Sequence, residues 1–231
     1  MADKTALVVG ASRGLGLGLA RELASRGWTV IATRRGPASD KGLQELADQS
    51  GGKVRIETLD LEDRQAIEAL PARLDGETLD LLFVNAGISG THGLAGTHDQ
   101  QEVGQVFLTN SVAPVHVAEA LAGRVRPGSG VIAFMSSGLG SITNSYASGM
   151  DLYSASKAAL NRMAKGFAEG EAAKELTVLL MSPGWVRTDM GGPEAPLSIE
   201  DSCKAVVDVL EQKAGSHKLA FYGHDGHEIP W

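Results

Sequence analysis

The stretch Thr5-Ala6-Leu7-Val8-Val9-Gly10-Ala11-Ser12-Arg13-Gly14-Leu15-Gly16 decides the fold of this 231-residue chain. After Thr5 it opens with an apolar run without polar alternation, which is typical of a strand buried on both faces of a parallel sheet. Three glycines follow, and residues 17–26 then have the composition of a helix that ends at Gly27. A second apolar run, residues 28–33, predicts the next strand. The pattern therefore predicts a strand–turn–helix–strand unit.

The glycine turn lies where a strand passes into a helix, so backbone N–H groups and the helix dipole can face a pyrophosphate. Its spacing is G-x-x-x-G-x-G, which differs from the G-x-G-x-x-G of the standard dinucleotide fingerprint. A glycine-rich turn without a ligand is the alternative, but the complete unit favours cofactor binding. The candidate contacts in the turn are Gly10, Ser12, Arg13, Gly14, Leu15 and Gly16.

Strands and helices alternate along the whole chain without a linker or a repeat. Predicted strands cover residues 5–9, 28–33, 53–59, 79–84, 131–135, 177–181 and 218–222. Predicted helices cover residues 17–26, 41–49, 64–74, 100–122, 152–169 and 199–213. This alternation predicts an α/β fold: one doubly wound Rossmann-type domain over residues 1–231, with a parallel seven-stranded sheet and helices on both faces.

Composition and charge exclude several functional classes. The formal net charge of −7 disfavours a nucleic-acid partner, which needs a basic footprint. The one cysteine, Cys203, excludes a disulfide framework and a Cys-rich zinc site, and we expect a buried structural thiol there. The histidines form no H-E-x-x-H pair, so no metal site is predicted. Because no apolar run of about 18 residues could span a membrane and the first residues lack an apolar signal region, we expect a cytoplasmic protein.

Tyr153 and Lys157 lie four residues apart in a run that has neither Pro nor Gly from Leu152 up to Gly166. On a helix this spacing puts both side chains on one face. A neighbouring ammonium lowers the pKa of a phenol, which is ordinarily about 10, and so allows it to exchange a proton near neutral pH. A solvated helix face would show the same spacing, so the pair gains weight only in combination with the glycine turn.

Polar or glycine-rich groups follow most of the predicted strands, at the sheet edge where this fold binds its ligands. These groups are Arg34-Arg35, Asp60-Leu61, Asn85-Ala86-Gly87, Ser136-Ser137-Gly138 and Ser182-Pro183-Gly184. Each is also ordinary loop chemistry. Their joint position at one edge predicts a single site.

The chain resembles the short-chain dehydrogenase/reductase family over essentially all of its residues. The resemblance rests on the glycine turn, Asp60, Asn85-Ala86-Gly87, Asn110, a serine before the tyrosine, Tyr153-x-x-x-Lys157, and Pro183-Gly184 with Thr188. Residues 184–192 and 226–231 are similar to the sniffer-like carbonyl reductases and to the bacterial C-factor signalling proteins.

This resemblance implies an NADP(H)-dependent oxidoreductase that reduces an aldehyde or ketone, with Tyr153 as proton donor and Lys157 holding the nicotinamide ribose. It also implies that Ser137, or failing that Ser136, contacts the substrate oxygen, and that Asn110 fixes a relay water. The implied cofactor contacts beyond the turn are Asp60, Leu61, Asn85, Ala86, Gly87, Tyr153, Lys157, Pro183, Gly184, Val186 and Thr188. Sixteen residues separate Ser137 from Tyr153, more than is usual in the family, and we expect the insert 141–149 to shape the pocket.

Arginines at the adenosine end of the site indicate which nicotinamide is used. An acidic residue about twenty positions after the glycines would mark NAD. Arg34 and Arg35 stand at the end of the second strand instead, and Arg13 lies inside the turn. Arginine suits a 2′-phosphate through its charge and planar donor fork. We therefore expect NADP(H), although solvated surface charges are the alternative.

The substrate and the assembly state are less well specified. The substrate loop, residues 187–199, is short, which suits small or varied carbonyl substrates, and the candidate lining residues are Ile88, Leu139, Tyr146, Met150, Trp185 and Met190. Leu160, Met163 and Phe167 form an apolar stripe on the tyrosine helix, and the family resemblance implies a homodimer or homotetramer. The competing interpretation is a C-factor-like protein that binds NADP(H) for signalling or sensing with little catalysis.

Overall fold

The protein is described from a computed structural model that covers residues 4–36, 41–74, 76–144 and 149–231. Its strands are β1 (Thr5–Val9), β2 (Thr29–Arg34), β3 (Val54–Thr58), β4 (Leu81–Val84), β5 (Val131–Met135), β6 (Thr177–Ser182) and β7 (Leu219–Gly223). Its helices are α1 (Gly14–Ser25), α2 (Lys41–Gln49), α3 (Arg64–Arg73), α4 (Gln100–Phe107), α5 (Ala113–Leu121), α6 (Asp151–Ala168) and α7 (Ile199–Lys213), with a π-helical turn, Leu108–Val112, between α4 and α5.

In the described part of the chain, seven strands form one parallel sheet in the order β3-β2-β1-β4-β5-β6-β7. The predicted doubly wound Rossmann-type fold is confirmed. The strand order reverses between β1 and β4, which opens a crevice at their carboxyl ends. The ligand edge predicted from the sequence is this crevice.

The sheet is buried on both faces, because successive side chains of each strand enter opposite cores. Leu7 and Val9 pack with residues of α3, α5 and α6, whereas Ala6 and Val8 pack with residues of α1, α2 and α7. Cys203 belongs to this second core and is buried, as expected for a structural thiol. The apolar runs of the sequence are therefore continuous because neither sheet face meets solvent.

The prediction of one regular helix between β4 and β5 is wrong. The predicted helix 100–122 is interrupted by the π-helical turn, in which the Ala113 N–H donates to the Leu108 carbonyl five residues earlier. Pro114 has no N–H, so the Asn110 carbonyl lacks the donor that an α-helix would supply four residues later. The helix widens at this point, and such single-turn π segments are frequent at functional sites.

Other boundaries differ from prediction by one to three residues, the largest difference being the start of α1 at Gly14 instead of residue 17. The predicted strand 79–84 begins at Leu81, because Leu79 pairs instead with Val125 in an isolated bridge.

None of the helices in the described ranges is long and apolar enough to cross a bilayer. Within the same ranges, no cluster of three metal-ligating side chains is found.

Candidate active site

The glycine turn after β1 is shaped by close backbone packing. Gly10 has φ +82° and Gly14 has φ +56°, both in the left-handed region that glycine adopts without strain. A Cβ at Gly10 would lie 2.7 Å from the Ala86 Cβ, and a Cβ at Gly16 would overlap the Gly10 carbonyl oxygen. These positions require glycine because the turn packs against itself and against the chain that follows β4.

The turn is anchored to its neighbouring strands by polar contacts. The Gly10 N–H donates to Thr33 Oγ1 at 3.0 Å, and the Ala11 N–H donates to the Thr33 carbonyl at 2.8 Å. Asn85 Nδ2 donates to the Gly10 carbonyl at 2.9 Å. The role of Asn85 is therefore to fix the turn. Thr33 was not predicted to contact the turn, because the sequence shows only a hydroxyl at the end of an apolar strand.

The N-terminus of α1 fits an anionic group. Arg13 occupies the N-cap without a side-chain capping bond, and the first helical turn has no acidic residue. A Cβ placed on Gly14 would meet just one atom within 4 Å, the Thr188 Cγ2, so the space over this backbone is open. Open N–H groups at a helix N-terminus bind phosphate. The turn therefore fits the pyrophosphate of a dinucleotide.

Helix α6 brings Tyr153 and Lys157 to the carboxyl end of β5. Both side chains are buried, with relative exposures of 9% for Tyr153 and 2% for Lys157. Lys157 Nζ lies 5.7 Å from the centre of the Tyr153 ring and donates to the Met135 carbonyl at 2.8 Å. The predicted common face is present, and the solvated-face alternative is wrong for this pair.

Ser137 is the serine that meets Tyr153. Its hydroxyl acts on the Tyr153 phenol, whose pKa it lowers, and its Oγ accepts from the Leu139 N–H at 3.2 Å. Ser136 faces away from this pair and donates to Asn161 Oδ1 at 2.6 Å. Of the two serines considered, the structure therefore brings Ser137 into the Tyr153–Lys157 cluster and gives Ser136 a different partner.

Burial dominates the electrostatics of the cluster. It raises the pKa of Tyr153 to about 12, against which the hydrogen bond from Ser137 acts. It lowers the pKa of Lys157 to about 8, because a desolvated ammonium is disfavoured. In the protein alone, Lys157 therefore does not bring the pKa of Tyr153 down to neutral pH, contrary to the sequence-based argument. The sequence shows the neighbouring charge, but it does not show the burial of Tyr153, which has the larger effect on its pKa.

Asn110 braces the cluster from the π-helical turn. It is fully buried, its Oδ1 accepts from the Ile88 N–H at 2.8 Å, and its Nδ2 donates to the Ile88 carbonyl at 2.7 Å and to Ser156 Oγ at 3.0 Å. The side chain thus joins the chain after β4 to α6. Both hydrogens of Nδ2 are engaged, and the backbone carbonyl of Asn110, for which Pro114 supplies no donor, offers an acceptor to a water in this region.

The chain after β4 runs close to the cluster. A Cβ at Gly87 would lie 3.3 Å from both Lys157 Nζ and Asn110 Oδ1, so glycine allows the backbone to pass there. At the adenosine end, Leu61 is buried and Asp60 is half-buried, with its Oδ1 accepting from the Glu62 N–H at 3.0 Å. Arg34 is half-buried at the end of β2, and Arg35 is exposed.

The chain after β6 contributes further residues at the same edge of the sheet. Gly184 has φ +79°, and Val186 is buried. Thr188 Oγ1 accepts from the Gly191 N–H at 3.0 Å. Arg13 forms an ion pair with Asp189, which joins the glycine turn to the substrate loop. Both partners are largely exposed, so the pair contributes little, about 0–1 kcal/mol, and Arg13 remains able to turn to a phosphate.

The candidate lining residues of the substrate pocket differ in how exposed their side chains are. Met190 on the substrate loop and Trp185 just before it are exposed, with relative exposures of 43% and 58%. Ile88, Leu139 and Met150 are half-buried. Tyr146, and with it residues 145–148 of the insert, lies outside the described residues. Trp185 and Met190 therefore offer an apolar rim rather than a closed lid.

Comparison with protein families finds a match over most of the chain. The family described as short chain dehydrogenase matches residues 4–196. Among curated proteins, C-signal of Myxococcus xanthus is 32% identical over 154 residues, which cover 66% of this chain and 93% of C-signal.

Two solved structures extend the likeness over the complete length. A carbonyl reductase from Pseudomonas aeruginosa PAO1 in complex with NADP is 41% identical, covers 100% of both chains and superposes with a TM-score of 0.92. The carbonyl reductase Sniffer of D. melanogaster is 30% identical, covering 99% of this chain and 100% of Sniffer with a TM-score of 0.89.

Proposed function

The chain belongs to the short-chain dehydrogenase family, and we propose that it is an NADP(H)-dependent oxidoreductase that reduces an aldehyde or ketone to an alcohol. The resemblance stated from the motifs is confirmed. The observation that carries the proposal is the convergence of buried Tyr153 and buried Lys157, whose Nζ lies 5.7 Å from the centre of the Tyr153 ring, with Ser137 acting on the Tyr153 phenol. The NADP complex of the carbonyl reductase relative supports the choice of cofactor.

When bound, NADPH supplies the hydride that forms the new C–H bond at the carbonyl carbon. The substrate oxygen then gains negative charge and needs both a hydrogen bond and a proton. The Ser137 O–H donates the hydrogen bond, because its Oγ already accepts from Leu139 and its proton is free to reorient. Tyr153 supplies the proton, which it retains at neutral pH because burial raises its pKa to about 12. The products are the alcohol and oxidised cofactor.

Lys157 serves this step through position and charge. Its ammonium is fixed by the Met135 carbonyl at 2.8 Å and lies next to Gly87, where a Cβ would come within 3.3 Å of Nζ. A positive charge here stabilises the phenolate that Tyr153 becomes after giving up its proton. The charge is costly to hold, since burial lowers the pKa of Lys157 to about 8. The Lys157 ammonium is therefore useful mainly after proton transfer, when an anion forms next to it.

The substrate is proposed to be a small or varied apolar carbonyl compound. Trp185 and Met190 present apolar surface at the substrate loop, and the loop is too short to close as a helical lid. The similarity to C-signal supports one alternative, an NADP(H)-binding signalling protein with little catalysis. A panel of aldehydes and ketones with NADPH separates the two, because the alternative binds the cofactor without oxidising it.

Replacing Tyr153 by Phe should remove the proton donor and leave the ring packing intact. We expect kcat to fall by about 10²–10⁴-fold, as is typical when one general acid is lost, with unchanged affinity for NADPH. The measurement is NADPH oxidation followed by absorbance. The matched control is Tyr222→Phe on β7, which packs on the α7 face of the sheet. Wild-type turnover in Tyr153→Phe would contradict the assigned role.

Replacing Arg34 by Asp should weaken NADPH more than NADH, because the carboxylate repels the 2′-phosphate. One charge-assisted contact contributes about 1.5–3 kcal/mol, or roughly one to two decades in affinity. Binding of both cofactors is measured by nicotinamide fluorescence. Arg21→Asp, an exposed position later in α1, controls for the same change in net charge. Equal affinity of the wild type for NADPH and NADH would exclude the phosphate-binding role.

We also propose a homodimer or homotetramer. Of the apolar stripe on α6, Leu160 and Phe167 are buried in the core, whereas Met163 is 39% exposed. Leu108 and Val112, on the neighbouring π-helical turn, are 38% and 45% exposed. Paired about a two-fold axis, these helices would bury all three side chains. Light scattering at micromolar concentration should give a mass two or four times the 24.1 kDa of one chain. The mass of a single chain would exclude the assembly.

A further inference from the structure

The position of Ser137 relative to Tyr153 is not set by the chain that connects them. Sixteen residues separate the two, and the insert between them lies partly outside the described residues. A connection of this length leaves the loop after β5 free to move unless other contacts fix it. The described residues provide such contacts close to Ser137 itself.

Asn161 makes two of these contacts from α6, one turn beyond Lys157. Its Oδ1 accepts from Ser136 Oγ at 2.6 Å, and its Nδ2 donates to the Gly140 carbonyl at 3.2 Å. Asn161 is 4% exposed, Ser136 is 1% exposed and Gly140 is buried. The two contacts hold the loop on either side of Ser137, at the residue before it and three residues after it.

The loop backbone also lies directly on α6. A Cβ at Gly140 would lie 2.9 Å from the Lys157 Cβ, so a larger residue would push the loop away from the helix. At its other side, the Gly138 N–H donates to Ser182 Oγ at 2.9 Å, which joins the loop to the end of β6. Asn161 therefore ties the loop to the same helix that carries Tyr153 and Lys157.

We propose that Asn161 is a positioning residue that holds the loop of Ser137 against α6 and so keeps Ser137 facing Tyr153. The proposal rests on the reductase function proposed above and assigns no chemical step to Asn161. Removing its amide would leave the Ser136 hydroxyl and the Gly140 carbonyl buried without this partner, which is unfavourable. The loop relieves that strain by moving off α6, and Ser137 moves with it because it lies between the two contacts.

The test uses Asn161→Leu in the complete protein, since leucine has a similar volume and cannot form either bond. We expect kcat to fall by at least about tenfold, as a misplaced catalytic group requires, while the affinity for NADPH and the KM change little. Leu160→Ala is the matched control, because it lowers stability on the same helix without touching the loop. Ser136→Ala, which removes one of the two contacts, should give an intermediate loss and guards against misfolding of the leucine variant.

A double-mutant cycle separates positioning from general destabilisation. If Asn161 acts through Ser137, the change Asn161→Leu should have little further effect on kcat in a Ser137→Ala background. Combining Asn161→Leu with Ser136→Ala should recover part of the lost Tm, because the unpaired hydroxyl is removed, but should not recover kcat. Full additivity with Ser137→Ala, or losses that match Leu160→Ala at equal Tm, would overturn the proposal.

A structure of Asn161→Leu decides the matter independently of turnover. The expected result is that Ser137 Oγ has moved away from the Tyr153 hydroxyl relative to its position in the wild type. An unmoved Ser137 would overturn the positioning role whether or not the wild type is active. A wild type that oxidises no NADPH with any carbonyl would instead contradict the proposed function and leave this structural result to stand by itself.

Discussion

The site depends on one unfavourable arrangement, an ammonium and a phenol buried together at the edge of the sheet. Desolvation opposes charge on both groups, lowering the pKa of Lys157 to about 8 and raising that of Tyr153 to about 12. The surrounding chain compensates by bringing backbone close. The Met135 carbonyl accepts from Lys157 at 2.8 Å, and Gly87 and Gly140 are glycines where a Cβ would crowd this lysine. The surroundings of the buried Lys157 cation therefore include a backbone carbonyl and glycine backbone.

The parallel sheet makes this arrangement possible because every strand ends at the same edge. The chain after β1 supplies a helix N-terminus open to phosphate, and the chains after β4 and β5 supply Asn85–Gly87 and Ser137. Asn110 then joins the π-helical turn before α5 to the tyrosine helix α6 by donating to Ser156 Oγ. The residues proposed to bind the cofactor and to donate the proton lie far apart in sequence, and the topology of the sheet brings them to one edge.

Much of this could be predicted from the sequence, and the limits have physical causes. The apolar runs, the glycine turn and the Tyr153–Lys157 spacing report local periodicity, so they gave the fold and the common face correctly. The contacts of Thr33 and Asn161 join residues distant in sequence, and a threonine in a strand or an asparagine on a helix carries no local signal for them. The π-helical turn was missed because Pro114 was taken as tolerated inside a helix. The pKa of Tyr153 was misjudged because sequence shows neighbouring charge but not burial.

Lys157 is held as a desolvated cation, and its titration tests this directly. The folded-state pKa lies below the ordinary value of about 10.4, so between pH 8 and that value the unfolded chain binds a proton that the folded protein has lost. By linkage, the contribution of Lys157 to stability rises with pH across this window and is flat below it. The measurement is an NMR titration of lysine side chains labelled at Cε in the cofactor-free protein, with Lys157→Met to assign the resonance. A midpoint near pH 8 is the expected result, and a midpoint near 10.4 would contradict the account.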